Sequence, residues 1–318
     1  MERLERILAA VDLGPDGDAI TRGSAKAVER AVWIAKRVGA SLVLVHSEKP
    51  DEYWDAQRDA FVDGHGQRAE RKRELARVLD GVREQGVDAR VVLRAESAWL
   101  AIVHEVLRSN VDLVVAGKRT DVESDDRKLG TVAHKLLRQC PCSVWLEDPR
   151  DDHDPRVILA ATDLSTVGDR AVRLAAWVAD AFAAELHVVH AFSFTMEIQL
   201  EGGDARRAWE HDRRADAIRR IERVLSDTPL AGAATLHVGL TSPAQAILEG
   251  VRALDPGLVV MGTVSRGGIP GLLMGNTAER MFDRIDCALL TVKPDDFVSP
   301  LPPDPGEDAV FEAGDARA

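Results

Sequence analysis

Cysteine is scarce in this sequence, and its few cysteines form no metal-binding or redox pattern. Only three of the 318 residues are cysteine, Cys140, Cys142 and Cys287, and no two of them form a Cys-x-x-Cys pair. Cys140 and Cys142 also lack a nearby His or Cys that would complete a set of zinc ligands. We therefore interpret all three as small buried side chains. Because such a chain suits a reducing compartment and has no signal-like start, we expect a cytoplasmic protein.

The sequence also lacks long apolar runs and an excess of basic residues. No apolar run approaches the roughly 20 residues that a membrane-spanning helix requires, so we expect no membrane span. Lys plus Arg number 41 and Asp plus Glu number 53, which gives a net charge of 41 − 53 = −12. An acidic surface repels nucleic acid and anionic membranes, so we expect no nucleic-acid partner. The arginines of a helix predicted at 209–225 alternate with acids, and we interpret that helix as a solvated face with intrahelical ion pairs.

Several catalytic motifs are missing as well. The sequence contains no Gly-x-Ser-x-Gly, no His-Glu-x-x-His and no identifiable acid–base pair. Gly262-x4-Gly267 is followed by Gly268-Ile269, so it lacks the lysine of a phosphate-binding Walker loop and one part needed for phosphoryl transfer. The first strand does not lead into Gly-x-Gly-x-x-Gly, which disfavours a dinucleotide fold. We expect no enzyme, and a slow ATPase or phosphotransferase is the weakest alternative.

What the sequence does contain is an internal repeat of about 145 residues. The paired positions are Gly117 with Gly262, Gly130 with Gly275 and Cys142 with Cys287, each 145 apart, and Trp33 with Trp177 and His46 with His190, each 144 apart. The first strand breaks this register, because Asp163 − Asp12 = 151 and 151 − 144 = 7. We therefore predict about seven extra residues in the turn at 14–18 of the first half, where an insertion costs little.

The repeat predicts two homologous domains, at residues 1–148 and 155–294, joined by a charged linker that contains Pro149. In each half, five short apolar segments alternate with helical patterns. Strands are predicted at 7–11, 42–45, 91–93, 113–116 and 143–146, and again at 157–161, 186–189, 235–238, 258–261 and 289–292. This alternation is typical of an α/β fold with a five-stranded parallel sheet and helices on both faces. Residues 298–318 are rich in proline and acids, and we predict a disordered acidic tail.

A glycine-rich segment at 262–277 follows the fourth predicted strand of the second half. At its far end, Asn276 precedes Glu279 by three residues, which is typical of a helix N-cap with its reciprocal partner. Glycines let the backbone approach a ligand closely, and the free N–H groups of a helix start favour an anion. The segment therefore predicts a phosphate-binding loop. The alternative is a surface crossover whose glycines only satisfy turns.

The glycine spacing resembles the nucleotide-binding signature of the universal stress protein family. The pattern is Gly262-x2-Ser265-x9-Gly275-Asn276, and Asp163 lies upstream at the end of the first strand of the same half. Ser265 stands where the family has its second glycine, and Asn276 stands where it usually has serine. The resemblance covers nearly the whole chain before the tail. It implies a tandem member of the family with two flavodoxin-like, adenine-nucleotide alpha-hydrolase-like domains.

The resemblance also implies a ligand, which is ATP or another adenine nucleotide, either alone or with magnesium. It implies that Asp163 contacts the adenosine and that the main chain of Ala191 approaches the base. A helix-cap or turn role is the alternative for Asp163, and we interpret His190 as structural. The predicted nucleotide-binding residues are Ala161, Thr162, Asp163, Ala191, Met261, Gly262, Ser265, Arg266, Gly275, Asn276 and Thr277. For Arg266, a solvated side chain is equally compatible with the sequence.

The corresponding loop of the first half is acidic, since it carries Asp121, Glu123, Asp125 and Asp126. Each approach of a like charge to a phosphate costs from about 1 kcal/mol in water to about 4 kcal/mol at intermediate screening. The neighbouring lysines and arginines offset this only in part. We therefore predict a degenerate first site, whose counterpart residues are Asp12, Gly117, Gly130 and Thr131.

These patterns predict a stress-response protein that binds nucleotide in its second domain and is regulatory rather than catalytic. As the resemblance implies, the first domain docks on the second within the chain, and a homodimer is a further assembly to expect. The alternative is a scaffold without nucleotide, or a module that binds an apolar ligand, in which both sites are degenerate and no cofactor is held. The Cβ of Ser265 favours this alternative if its position requires a positive φ.

Overall fold

The structure is a computed structural model that describes residues 4–14, 17–48, 64–118, 129–151, 153–199, 201–263 and 281–301. The chain divides into two compact units that adjoin in sequence at Arg150 and Asp151. The tail predicted to be disordered lies outside the described residues from 302 onward.

The first unit alternates five strands with four helices over its described residues. These elements are β1 (Arg6–Ala10), α1 (Arg22–Val38), β2 (Ser41–Ser47), α2 (Gly64–Glu84), β3 (Ala89–Arg94), α3 (Ala98–Ser109), β4 (Leu113–Gly117), α4 (Thr131–Gln139) and β5 (Ser143–Glu147). All five predicted strands are present, and they begin and end within two residues of the predicted limits.

The second unit repeats this alternation. Its described elements are β6 (Val157–Ala161), α5 (Thr166–Phe182), β7 (Glu185–Phe192), α6 (Met196–Gln199), α7 (Gly203–Leu225), β8 (Thr235–Leu240), α8 (Pro243–Leu254), β9 (Leu258–Gly262) and β10 (Ala288–Val292). Strand β6 matches its predicted limits, and β7 extends three residues further than predicted. The helix predicted at 209–225 starts six residues earlier, at Gly203.

Within each unit the sheet is parallel, and its strands follow the order third, second, first, fourth, fifth. The predicted class, a five-stranded parallel α/β sheet, is therefore confirmed. The order is the 3-2-1-4-5 of doubly wound nucleotide-binding sheets, whereas flavodoxin itself has 2-1-3-4-5. In the second unit β6 pairs with both β7 and β9, so the chain reverses its direction across the sheet at β6. Ligands of open α/β sheets bind beyond the carboxyl ends of the strands at such a switch point.

Helices cover both faces of the second sheet. Helix α5 packs against α7, and α8 packs against β6 and β7. Because crossovers between parallel strands are right-handed, α5 and α7 lie on one face and α8 lies on the other. The strands between them are buried on both sides, which explains why β6 and β9 read as short continuous apolar runs without alternation.

The predicted seven-residue insertion lies between β1 and α1. Thr21 is the N-cap of α1 and Ser165 is the N-cap of α5. Eight residues separate Asp12 from Thr21, whereas one residue separates Asp163 from Ser165, and 8 − 1 = 7. The longer turn closes on itself through a bridge between Leu13 and Ile20.

Candidate functional site

A cavity of about 520 Å³ lies within the second unit, at the carboxyl ends of β6, β7 and β9. Its position is the switch point of the sheet, and its volume lies within the range of small-molecule sites. Strand ends, helix α7 and helix α8 all contribute to its wall. The lining residues are Ala161, Thr162, Asp163, Leu164, Gly168, Val189, His190, Ala191, Phe192, Arg213, Asp216, Ala217, Arg220, Pro243, Ala246, Ile247, Met261, Gly262 and Thr263.

The structure thus brings six of the predicted site residues together at one cavity. They are Ala161, Thr162, Asp163, Ala191, Met261 and Gly262. The register explains the convergence, because Ala161 at the end of β6 pairs with Val189 on one side and with Met261 on the other. The other five, Ser265, Arg266, Gly275, Asn276 and Thr277, lie outside the described residues, and their role stays a prediction.

A tight turn connects β6 to α5 and forms the floor of the cavity. The Asp163 carboxylate accepts a hydrogen bond through Oδ1 from the Ser165 N–H at 2.9 Å, and the Ser165 hydroxyl accepts one from the Gly168 N–H at 3.1 Å. The Thr162 hydroxyl accepts a hydrogen bond from the Leu164 N–H at 3.0 Å. Asp163 therefore does have a role in the turn, but among the described residues of this unit no hydrogen bond reaches its second oxygen, Oδ2.

The backbone of this turn is strained at one residue. Leu164 has a φ of 60°, in the left-handed region that residues with a bulky side chain rarely adopt. Strain of this kind costs about 1–3 kcal/mol and tends to occur where a site needs a particular geometry. Here it lies next to Asp163 and in the wall of the cavity.

The two repeat-related histidines hold the corresponding strand ends in place. His190 Nδ1 lies 2.8 Å from the carbonyl oxygen of Thr162, and His46 Nδ1 lies 3.0 Å from that of Val11. Because a carbonyl only accepts, Nδ1 donates in both units. Burial lowers the pKa of His46, which favours its neutral form. The shared contact supports the structural interpretation of His190.

Opposite walls of the cavity differ in chemistry. Ala246 and Ile247 lie on α8, on the opposite face of the sheet from α7, and together with Val189 and Met261 they supply apolar lining that suits a flat base. On the other side, α7 contributes Arg213, Asp216, Ala217 and Arg220, which share one helix face at intervals of three, four and seven residues.

The position of α7 gives two of its solvated arginines a second role. That interpretation holds for the pairs Arg207 with Asp204 and Arg219 with Asp216, each three residues apart. Arg213 and Arg220 are exposed as well, as that interpretation requires, and they also line the cavity. A charged helix without an apolar stripe does not reveal from its sequence alone which face turns toward a cavity.

At the equivalent edge of the first unit, the described residues form close contacts with one another. The inserted turn is held by α2, because the Glu74 carboxylate accepts a hydrogen bond from the Ile20 N–H and Arg71 packs on Gly17. At the end of β4, a Cβ added to Gly117 would lie 2.4 Å from the backbone of Gly23, so α1 begins directly against that strand end.

The predicted counterpart residues serve local structure in the described part of this unit. The Asp12 N–H donates to the Ser24 hydroxyl at 2.7 Å, and the Asp12 carbonyl accepts from the Thr21 N–H. Gly130 is the N-cap of α4, and Thr131 is its first residue. The acidic residues 121–126 lie outside the described residues.

A family model for the universal stress protein family matches residues 4–146 and again residues 155–293. The chain belongs to the universal stress protein family. The two matches cover most of its length and one falls on each repeat, so the resemblance found in the glycine spacing is confirmed.

This universal stress protein is similar over most of its length to relatives named universal stress protein E. It is 25% identical over 304 residues to universal stress protein E of Escherichia coli K12, covering 89% of this chain and 94% of the relative. It is 27% identical over 236 residues to universal stress protein E of Photorhabdus laumondii, covering 69% and 73% respectively.

Solved structures show the same fold over the same extent. A functionally unknown protein from Pseudomonas aeruginosa PAO1 is 24% identical, with a TM-score of 0.67 and coverage of 92% of this chain and 94% of its own. A universal stress protein from Archaeoglobus fulgidus is 20% identical, with a TM-score of 0.61 and coverage of 92% and 99%. A universal stress protein family protein from Arabidopsis thaliana with AMP bound is 18% identical and covers 46% of this chain at a TM-score of 0.34.

The described residues of this universal stress protein contain no cluster of three or more His, Cys, Asp or Glu that could hold a metal ion. The sulfur atoms of Cys140 and Cys142 lie 3.5 Å apart, and Cys140 is buried. Burial, with the neighbouring Cys140, raises the pKa of the Cys142 thiol, which favours its unreactive protonated form. Among the described helices, none is both long and apolar enough to span a bilayer.

Proposed function

We propose that the second unit binds ATP or a related adenine nucleotide in the cavity at the β6 switch point, and that this binding is regulatory rather than catalytic. The observation that carries the proposal is the convergence of Asp163 and Gly262 on one cavity, from neighbouring strands that the sequence places 99 residues apart (262 − 163 = 99). The resemblance of the glycine spacing to the family signature supplies the ligand class.

The cavity has the composition that an adenine nucleotide needs. Its apolar side accepts the base, and the carboxylate of Asp163 presents an oxygen to the polar edge of adenosine. Gly262 ends β9 without a side chain, which leaves the backbone open to a phosphate group. The described lining holds no pair of groups arranged as nucleophile and base, which supports a binding role.

We propose further that the first unit binds no nucleotide. The proposal is supported by the inserted turn after β1, which the second unit lacks, and by the close contact of Gly23 with Gly117 at the end of β4. One nucleotide per chain is therefore the expected stoichiometry.

Asp163→Ala is expected to weaken ATP binding by about 10- to 100-fold, because a hydrogen bond to a charged group contributes about 1.5–3 kcal/mol. Asp12→Ala, at the repeat-related position, is the matched control and should leave the affinity unchanged. Isothermal titration of the full chain with ATP, ADP, AMP and adenosine measures both the affinity and the stoichiometry. Mass spectrometry of small molecules released from the purified protein identifies a nucleotide that co-purifies.

Three outcomes would contradict the proposal. If no nucleotide co-purifies and none binds on titration, the chain is a scaffold or binds an apolar ligand along Val189 and Ile247. Two nucleotides per chain, or equal losses in Asp163→Ala and Asp12→Ala, would refute the assignment of a single site. ATP turnover that is lost in Asp163→Ala would make the protein an enzyme.

A further inference from the structure

We propose that Arg213, backed by Trp209, is a specificity-determining residue that stacks its guanidinium plane on the purine base of the bound nucleotide. The inference rests on the proposed function and adds a contact from α7 to it. It starts from an aromatic cluster beside the cavity, whose members are Phe192, Phe194 and Trp209.

This cluster holds Trp209 in a fixed position. The ring centroid of Trp209 lies 5.9 Å from that of Phe192, with an angle of 70° between the planes, and 5.5 Å from that of Phe194. These are the distances of favourable aromatic pairs. Trp209 is thereby fixed to the carboxyl end of β7, where Phe192 is the last residue.

Arg213 lies one helical turn after Trp209, and its guanidinium group is within cation–π distance of the Trp209 ring. Its guanidinium carbon is 5.4 Å from the centroid of the Trp209 ring, and the residue lines the cavity. In the ranges that the structure describes, Arg213 forms no ion pair, whereas Arg220 on the same helix face is paired with Asp169 at 3.2 Å. The Arg213 guanidinium group therefore lies within cation–π distance of an aromatic ring, and no carboxylate of the described residues neutralises its charge.

The location of Trp209 and Arg213 favours contact of Arg213 with the base of the nucleotide over contact with its phosphates. Ala191 precedes Phe192 on β7, and Gly262 is on β9, with β6 between the two strands. Neighbouring strands are about 4.8 Å apart, so the ends of β7 and β9 are separated by roughly 10 Å. Arg213 lies near the end of β7, because it contacts Trp209, which packs on Phe192. Gly262, whose backbone is open to a phosphate group, lies at the end of β9.

The chemistry of the guanidinium group suits this position. It is planar and delocalised, and it stacks on aromatic faces on either side, which an ammonium group does not do. A purine that enters along Ile247 and Val189 would have an apolar side chain on one face and the Trp209–Arg213 stack on the other. A purine offers a larger face than a pyrimidine, so the contact selects for adenosine over cytidine.

The test compares adenosine, which carries no phosphate, with ATP. Arg213→Lys keeps the charge and removes the stacking plane, and Arg213→Ala removes both. We expect each variant to reduce the affinity for adenosine and the affinity for ATP by the same factor, about 5- to 20-fold. We also expect each to reduce the preference of the protein for adenosine over cytidine. Arg214→Lys, at the next residue of the same helix, which is not among the lining residues, should change none of these affinities.

Tryptophan fluorescence supplies a second readout that a purely structural role would not change. Adenosine should alter the emission of the wild-type protein and of Trp177→Phe, and this change should be lost in Trp209→Phe. If Arg213→Ala reduces the affinity for ATP but not for adenosine, the residue contacts phosphate and the inference is wrong. If Arg213→Ala binds both ligands like the wild type, Arg213 is a solvated residue and only this inference fails. If the wild type binds neither ligand, the proposed function fails together with it.

Discussion

Glu105→Ala is expected to destabilise the first unit by about 3–5 kcal/mol, because it leaves a buried arginine without its carboxylate. Glu105 on α3 accepts hydrogen bonds from Arg94 at 2.9 Å, from Arg90 at 2.5 Å and from the Ser109 hydroxyl at 2.6 Å. The side chains of Arg94 and Glu105 are only 1% and 2% exposed. Removal of the carboxylate takes all three of these hydrogen bonds away, and the Glu96 carboxylate, 3.8 Å from Arg94, is too far to replace the one to Arg94.

Hydrogen exchange measured by mass spectrometry tests this prediction within the affected unit. Peptides from β3 and α3 report the free energy of opening of the first unit separately from the second, which a single denaturation curve of a two-unit chain does not do. Asp204→Ala is the matched control, because it breaks an exposed pair with Arg207 and should change stability by about 0–0.5 kcal/mol. A loss below about 1 kcal/mol in Glu105→Ala would show that the cluster does not stabilise the fold.

The same cluster predicts how stability varies with pH. Burial alone would raise the pKa of Glu105, but the hydrogen bonds from Ser109, Arg94 and Arg90 outweigh it, and the pKa lies below its usual value. A carboxylate with a depressed pKa stabilises the fold at pH values above its unfolded pKa of about 4.3, and this contribution is lost as the pH falls through the folded pKa. The stability difference between wild type and Glu105→Ala should therefore be constant near neutrality and shrink below about pH 4.

The strands, the repeat and the six converging site residues could be predicted because each depends on local sequence. A buried parallel strand requires a short apolar run wherever it occurs, and the glycine and aspartate that follow such runs must lie at the same edge of the sheet. The distance between Asp163 and Gly262 in the sequence did not matter, because strand order in a doubly wound sheet places β6 beside β9.

The parts that could not be predicted depend on how elements are oriented in three dimensions. The packing of α7 on α5 decides which face of α7 meets the cavity, and the sequence does not show this packing. Arg213 and Arg220 were therefore missed as lining residues. Their spacing with Trp209 on one helix face was nevertheless present in the sequence. The cluster around Glu105 was missed because its members come from β3 and α3, and charged residues are rarely buried. The inserted turn was located in the sequence, but its contacts with α2 were not.

Enlarging Gly168 is expected to have the largest effect on nucleotide binding of any single substitution in the cavity wall. A Cβ at this position would lie 2.6 Å from Thr162 Oγ1 and 2.8 Å from Asp163 Oδ1, and real Cβ atoms essentially never approach so closely. Both oxygens accept backbone hydrogen bonds within the turn, so neither withdraws without breaking one. We expect Gly168→Ala to weaken ATP binding at least tenfold and the larger Gly168→Val more than 100-fold, because both the turn and Asp163 must move.

A helical glycine elsewhere separates this effect from helix propensity. Gly81 lies in α2 with nothing within 4 Å of an added Cβ, so Gly81→Ala should raise stability by about 0.5–1 kcal/mol and leave ATP binding unchanged. Gly168→Ala brings the same increase in helix propensity as Gly81→Ala. A loss of ATP affinity without a large loss of thermal stability would therefore come from the displaced turn. Titration of both variants with ATP, beside thermal unfolding, measures the two quantities. Wild-type affinity in Gly168→Val would mean that the turn carrying Asp163 forms no part of the site, because no rearrangement keeps that carboxylate in place beside a valine.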